Sequence, residues 1–298
     1  MSRLVTVAYE PSRREALFDL LERVWAVRPD PDEFAWWFDR SPGGPGLLTL
    51  AEDGDLVVGV ASLSFLRCRV GGVEQLVPMP LQVATDPAYR GRGIFGRLEL
   101  ANEEAAAERG SSIGVTFPND ASRPIFLERL GWRELWRSRI WVRPPLPWPR
   151  GGGLRIERLT SIPAEAAALA AVPANGQVAD AAFLDWRYLA SPREYRVLAA
   201  FDGERLRGLL ALRPRRGRVA VVCHVLGDGQ AVGQLLRAAR SKGAAATIAL
   251  APPTYRAAFL RAGFIPSVRS VRVLCKELRQ DGSLAGGWQF QLGDFDVF

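Results

Sequence analysis

The sequence carries a copy of itself. Phe34, Trp37, Ala51, Asp53, Gly54 and Gly59 recur as Phe183, Trp186, Ala200, Asp202, Gly203 and Gly208, each pair 149 residues apart. A repeat of this length is a repeat of a whole folding unit, so the chain has to bury two similar cores. In each copy a helix ends at Ser-Pro (Ser41-Pro42, Ser191-Pro192) and an apolar strand, an Asp-Gly turn and a second strand follow. Asp-Gly between two apolar runs signals a hairpin, because the tight turn needs positive φ angles. Farther on, Phe126 to Trp132 resembles Phe259 to Phe264, a helix end closed by a glycine and an aromatic. The closing glycines, Gly131 and Gly263, are only 132 residues apart, so the second copy lacks about 17 residues between its hairpin and this helix. The shortening falls across a glycine-rich turn present only in the first copy. Prolines and glycines crowd Pro144 to Gly153, which reads as a linker. Residues 1–143 are therefore expected to form one domain, 144–153 the linker and 154–298 a second domain.

Within the first copy the patterning predicts strand Leu4–Ala8, helices Ser12–Val27 and Pro31–Asp39, and strands Leu47–Glu52, Leu56–Val70 and Val73–Ala84. Helix Ile94–Arg109, strand Ser112–Phe117, helix Ala121–Leu130 and strand Leu135–Val142 complete it. The second copy repeats this with a simpler centre.

No run of about 18 apolar residues is present, and Met1-Ser2-Arg3 leads into alternating and then amphipathic sequence, so a soluble cytoplasmic protein without a membrane partner is expected. The net charge of +7 comes almost wholly from arginine, since Lys242 and Lys276 are the only lysines. Such an excess suits anionic partners. The arginines are spread along the chain with no nucleic-acid motif, so a phosphate-bearing cofactor fits better than nucleic acid. Cys68, Cys223 and Cys275 are scattered and lack the spacing of metal ligands or disulfides. They read as reduced structural thiols, and no metal is expected.

Between Asp86 and Gly96 a long apolar strand ends, arginine alternates with glycine (Arg90-Gly91-Arg92-Gly93-Ile94-Phe95-Gly96), and an alanine-rich helix begins. This is phosphate-binding architecture. Glycines let backbone N–H groups approach phosphate oxygens, the helix start supplies unpaired donors and a favourable dipole, and Arg90 and Arg92 add charge. The bland reading is a turn that needs glycine only for its angles. Gly91 to Gly96 also spells the dinucleotide fingerprint G-x-G-x-x-G, which would make the chain an oxidoreductase. That fingerprint belongs after the first strand of a parallel βαβ unit, whereas the turns Asp53-Gly54 and Gly71-Gly72 place antiparallel hairpins immediately upstream. Asp120, 24 residues beyond Gly96, keeps the alternative in play.

The succession strand, Asp86-Pro87-Ala88-Tyr89-Arg90-Gly91-Arg92-Gly93-Ile94, helix, strand, Asn119, helix, Leu130-Gly131-Trp132 resembles the GCN5-related N-acetyltransferase (GNAT) superfamily. Its turn has the form R/Q-x-x-G-x-G/A. Arg90 and Gly93 match, and Phe95 stands where glycine or alanine is usual, a departure familiar in the tandem-domain branch. The resemblance covers the first copy throughout and the second in outline. It implies an α/β fold of two tandem GNAT-like domains, each a mixed, mostly antiparallel twisted sheet flanked by helices. It implies an N-acetyltransferase that moves an acetyl or short acyl group from acetyl-CoA, or a close acyl-CoA, to the amine of a small molecule such as an amino sugar. Backbone groups near Gln82, Val83 and Ala84 would hold the pantetheine arm and thioester, Arg90 to Gly96 the pyrophosphate, and Asn119 would touch the cofactor. Asn119 reads equally well as a helix cap shared with Asp120.

The family often supplies a tyrosine four residues before the closing glycine of the helix after Asn119. Leu127 stands there, so no catalytic acid is carried over, and an acyl-CoA-binding regulator or scaffold without activity is the competing class. Glu52, Asp53 and Asp120 are available as bases, directly or through water. Trp36 and Glu52 are the acceptor-site candidates, with burial against the sheet the competing reading of Trp36, and Trp37 reads as a core residue because Trp186 is its repeat mate. The lone histidine, His224, adjoins Cys223, but neighbours on a strand point to opposite faces, so the pair reads as packing. Only Gly227-Asp228-Gly229 separates strand from helix in the second copy, and Asp228 would repel a phosphate. That copy is expected to bind no cofactor.

Overall fold

Two compact units make up the chain in the computed structural model, which describes residues 4–145, 152–169, 174–214, 219–239, 243–280 and 286–295. Residues 146–151, the middle of the expected linker, lie outside the described residues. Unit 1 comprises 1–136 together with 273–285, and unit 2 comprises 137–272 together with 286–298.

In unit 1, strands β1 (Leu4–Ala8), β2 (Leu47–Asp53), β3 (Leu56–Val70) and β4 (Val73–Thr85) form an antiparallel meander in that order. Helices α1 (Arg14–Trp25) and α2 (Pro31–Phe38) fill the connection between β1 and β2. Asp30 caps α2 by accepting from the backbone of Asp32 and Glu33, and Pro31 starts it where no N–H is needed. Helix α3 (Ile94–Glu108) runs back across the meander after β4. Its Ile94 and Leu98 join Ala51, Val58 and Ala61 in one core cluster. Strand β5 (Ile113–Thr116), helix α4 (Arg123–Glu128) and strand β6 (Arg133–Arg143) follow.

Unit 2 repeats the plan. Strands β7 (Arg155–Leu159) and β8 (Asn175–Gln177) precede the short helix α5 (Ala181–Leu184). Strands β9 (Arg196–Asp202), β10 (Arg205–Arg213) and β11 (Val219–Gly227) are antiparallel neighbours, with β7 on the far side of β9. Helix α6 (Gly229–Ala238), strand β12 (Ala246–Ala249), helix α7 (Arg256–Arg261) and strand β13 (Ile265–Glu277) complete the repeat, and β14 (Trp288–Gln289) pairs with β8. The missing residues come from this centre. Strands β10 and β11 have 9 residues each where β3 and β4 have 15 and 13, and Asp228 alone separates β11 from α6.

The last strand of each copy is built into the other unit. Trp141–Arg143 of β6 pair with Thr247–Ala249 of β12 in unit 2, and Leu274–Glu277 of β13 pair with Ile113–Thr116 of β5 in unit 1. Whereas the sequence places the first unit at 1–143 and the second at 154–298, the compact units divide inside β6 and β13.

Candidate functional site

Three features of unit 1 converge after β4. The first is a break in the ladder between β3 and β4. Val60 faces Ala84 and Ser62 faces Leu81, so Gln82 and Val83 together oppose one residue, Ala61, in a β-bulge. Gln82 takes a φ of 45°, the left-handed region, at a cost of about 1 kcal/mol or more for a non-glycine residue. Its side-chain Oε1 is buried and has no hydrogen-bond partner. The Ser62 hydroxyl donates to the Leu81 carbonyl beside the bulge, and Asn102 of α3 donates to the Ala61 carbonyl at 2.9 Å.

The second feature is an open edge. Strand β4 is hydrogen-bonded to β3 but not to β5 among the described residues, although a Cβ on Gly114 of β5 would lie 3.6 Å from the Pro78 carbonyl. The cause lies in the sequence. Pro78 and Pro80 are two apart, so both missing N–H groups fall on one edge of β4, and the ladder to β3 continues past them. The edge left without donors is the one toward β5.

The third feature is the turn. Asp86 begins it, accepting from the Ala88 N–H at 3.0 Å and from Arg23 Nε at 3.0 Å. The Tyr89 hydroxyl donates to Asp53 at 2.7 Å, tying the turn back to the β2–β3 hairpin, and Arg92 lies 4.8 Å over the Tyr89 ring. Gly91 and Gly93 take φ of 78° and 70°, which side chains resist, and a Cβ on either would meet nothing within 4 Å. The glycines thus serve the backbone path and also leave open space in front of it. Gly93 is the N-cap of α3 and provides no side chain to bond the first turn. The opening N–H groups of α3 are left as unpaired donors at the positive end of the helix dipole. Arg90 and Arg92 are exposed, and their hydrogen bonds among the described residues go to backbone carbonyls, those of Thr85 and Ala88. Ile94 is buried against β3, Phe95 meets Phe126 at 5.5 Å, and Gly96 sits in the first turn of α3.

Unit 2 treats the matching helix start in the opposite way. Asp228 caps α6, accepting from Gln230 and Ala231 N–H at 3.0 and 2.9 Å, and Arg207 neutralises it at 2.8 Å. A carboxylate of the chain itself occupies the position that an anion takes at an open helix start.

The remaining sequence candidates are placed as follows. The Asn119 oxygen accepts from the N–H of Ala121 and Ser122 at 3.0 and 2.9 Å, which commits it to the turn before α4 and leaves its amide N–H₂ for any other contact. Asp120 is exposed. Glu52 is held by Arg13 Nε at 2.7 Å. Trp36 corrects an expectation. It is 1 % exposed and packs against Trp37 at 4.6 Å between ring centroids, so it offers no face to an acceptor. An aromatic at this point of α2 serves the core, as Trp37 does. Leu127, at the position of the family's tyrosine, is 39 % exposed on α4.

The three cysteines are buried, and burial pushes Cys223 and Cys275 up to about 11, away from thiolate chemistry. His224 bonds the Tyr188 hydroxyl at 3.0 Å, and burial lowers its pKa to about 3. No group of three or more His, Cys, Asp or Glu side chains gathers among the described residues, and no helix there is long and apolar enough to cross a membrane. The dinucleotide reading fails on topology, since β4 enters the turn from an antiparallel hairpin and not from a parallel βαβ unit.

The bulge and the opening at Pro78 and Pro80 escaped the sequence reading. The spacing of two prolines inside an otherwise apolar strand was the available signal.

Residues 8–135 match the model of an acetyltransferase (GNAT) domain family. No curated protein sequence matches the chain. Among solved structures, a probable N-acyltransferase from Enterococcus faecalis is similar at a TM-score of 0.71 and 13 % identity, over 93 % of this chain and 73 % of the other. A GCN5-related N-acetyltransferase from Anabaena variabilis gives 0.69 and 12 %, over 93 % and 73 %. A tandem GNAT protein from the clavulanic acid biosynthesis pathway gives 0.62 and 14 %, over 94 % of this chain and 100 % of that one.

Proposed function

Because residues 8–135 belong to the GNAT acetyltransferase superfamily, we propose that unit 1 binds acetyl-CoA or a close acyl-CoA and transfers the acyl group directly to the amine of a small molecule, an amino sugar among the candidates. The observation that carries this is the uncapped start of α3 behind two left-handed glycines, set against the capped start of α6. The N–H groups of the first turn of α3, with Arg90 and Arg92, suit a pyrophosphate. The bulge at Gln82 to Ala84 frees backbone groups from the ladder, and the donor-poor edge of β4 leaves room for an extended chain of amides such as pantetheine. The unpartnered Gln82 oxygen fits an amide donor from the same arm. Acyl-CoA supplies an activated thioester.

What the chain itself contributes is holding, orienting and polarising. Backbone N–H groups at the bulge are the donors for the acyl oxygen. Thiol is a fair leaving group, so solvent can supply its proton and no side chain is assigned as catalytic. All three cysteines are buried and burial pushes the Cys223 and Cys275 thiols up, which disfavours an acyl-cysteine and supports transfer within a ternary complex.

Titration calorimetry with acetyl-CoA and with NAD tests the binding half. One acetyl-CoA per chain at about micromolar strength is expected, lost in Gly93→Trp. Binding of NAD in its place overturns the reading, and a second acetyl-CoA surviving Gly93→Trp overturns the assignment of an empty second copy. Leu127 at the tyrosine position favours a second reading, binding without catalysis. Thiol release from acetyl-CoA with pooled small amines separates the two, and intersecting initial-rate lines are expected if transfer is direct.

A further inference from the structure

Unit 2 carries a cationic groove to which the acyl-CoA reading assigns no role. It lies along Arg137–Arg139 of β6 and Pro266–Ser270 of β13, encloses about 570 Å³, and is lined by Arg137, Arg139, three serines (Ser138, Ser267, Ser270) and Val268. No carboxylate is among the lining residues. Arg137 Nε donates to the Ser270 hydroxyl at 3.1 Å, which fixes the guanidinium and leaves its terminal nitrogens without a partner among the described residues. The Arg139 side chain has neither a hydrogen bond nor an ion pair among those residues. Arg269 flanks the groove, and only its backbone is engaged, with Ser267.

Elsewhere on the surface, arginines of this chain are closed by acids. Arg28 is closed by Glu15, Asp19 and Glu22, and Arg207 by Asp202 and Asp228. Arg137 and Arg139 stand two apart on a strand, hence on one face, where like charges repel. Two guanidiniums together without an acid, beside the Ser270 hydroxyl, suit an anion. Guanidinium forks match the oxygens of phosphate, and hydroxyls add further donors. The volume falls within the range of about 300–1,000 Å³ typical of small-ligand pockets. Val268, 98 % exposed, and Pro266 give the groove an apolar wall for a carbon skeleton.

We propose that this groove binds the phosphate monoester of a small metabolite, with Arg137 and Arg139 clasping the phosphate and the Ser270 hydroxyl donating to it. The proposal is independent of the acyl-CoA reading, and the variants below keep the two apart.

The test uses the full chain titrated with ribose 5-phosphate and with inorganic phosphate at constant ionic strength, followed by calorimetry and arginine side-chain NMR. Arg90→Gln/Arg92→Gln should leave ribose 5-phosphate binding in place. Arg137→Gln/Arg139→Gln should weaken it about tenfold or more, as expected for loss of charge-assisted pairs. Arg158→Gln, an exposed arginine on β7, controls for general charge. Arg139→Gln alone, which breaks no bond of the fold, should act in the same direction and serves if the double variant melts early. Undiminished binding in Arg137→Gln/Arg139→Gln, or an equal loss in Arg158→Gln, overturns the proposal. So does binding abolished by Arg90→Gln/Arg92→Gln.

Discussion

Glu99 and Glu103 stand one turn apart on α3, and their carboxyls have opposite surroundings. Glu103 accepts from Trp132 Nε1 at 2.8 Å and pairs with Lys276. Glu99 is 0 % exposed, and neither of its oxygens has a hydrogen-bond partner. Burial first, then the charge of Glu103, pushes its pKa well above 4.5, so it is held as the neutral acid. The folded chain therefore keeps a proton that the unfolded chain releases above about pH 4.5. The sign follows from proton counting: where the folded state binds more protons, stability falls as pH rises, until the folded pKa is passed. Glu99→Met removes both the unsatisfied group and this slope. We expect the variant to be more stable than the parent near neutral pH by about 1–3 kcal/mol. The gap should narrow toward about pH 4, where both states of the parent are protonated. Denaturant unfolding at several pH values measures it, and a gap that does not change with pH would mean that Glu99 is already ionised in the fold.

At the scale of elements, the two helix starts are built for different ends and should respond differently to substitution. Asp228→Ala removes a cap with two backbone bonds and should cost unit 2 about 1 kcal/mol. Gly93→Ala meets no atom within 4 Å, so only the left-handed backbone resists it, again at about 1 kcal/mol. Chemical denaturation checks both, and a loss of several kcal/mol for Gly93→Ala would mean that the space before the turn is filled. Most elements were legible in the sequence because their signals are local. The repeated Gly59 and Gly208 mark places where α3 and α6 press on a strand: a Cβ there would lie 2.6 Å from Ile94 and 2.8 Å from Ala231. The turn at Arg90 to Gly96 was legible for the same reason. Partners distant in sequence were not. Glu52 reads as a solvated carboxylate in the sequence, whereas Arg13, 39 positions away, holds it in the fold. The left-handed Gln82 carries no mark in a strand of apolar residues.

For the whole molecule, the consequence least visible in the sequence is the exchange of final strands. A proline-rich stretch at 144–153 invites the chain to be cut into two self-sufficient halves. The fragment 1–143, however, would lack Leu274–Glu277, the partners of β5, and would lack Leu274 from the cluster of Phe126, Leu130 and Trp132. It would also lose Lys276, leaving Glu103 buried with one partner fewer. The fragment 154–298 would lack Trp141–Arg143, where Trp141 packs with Phe259 and Arg143 bonds the Leu236 and Ala239 carbonyls at the end of α6. Removing a buried aromatic alone costs about 3–5 kcal/mol, comparable with much of the stability of a domain this size. Each fragment expressed alone should therefore be largely unfolded or aggregated by circular dichroism and size exclusion. Co-expressed, the two should recover a folded complex, because every exchanged strand is again present. A cooperative thermal transition in fragment 1–143 by itself would show that β5 does not need β13, and the division of the chain into units would have to be redrawn.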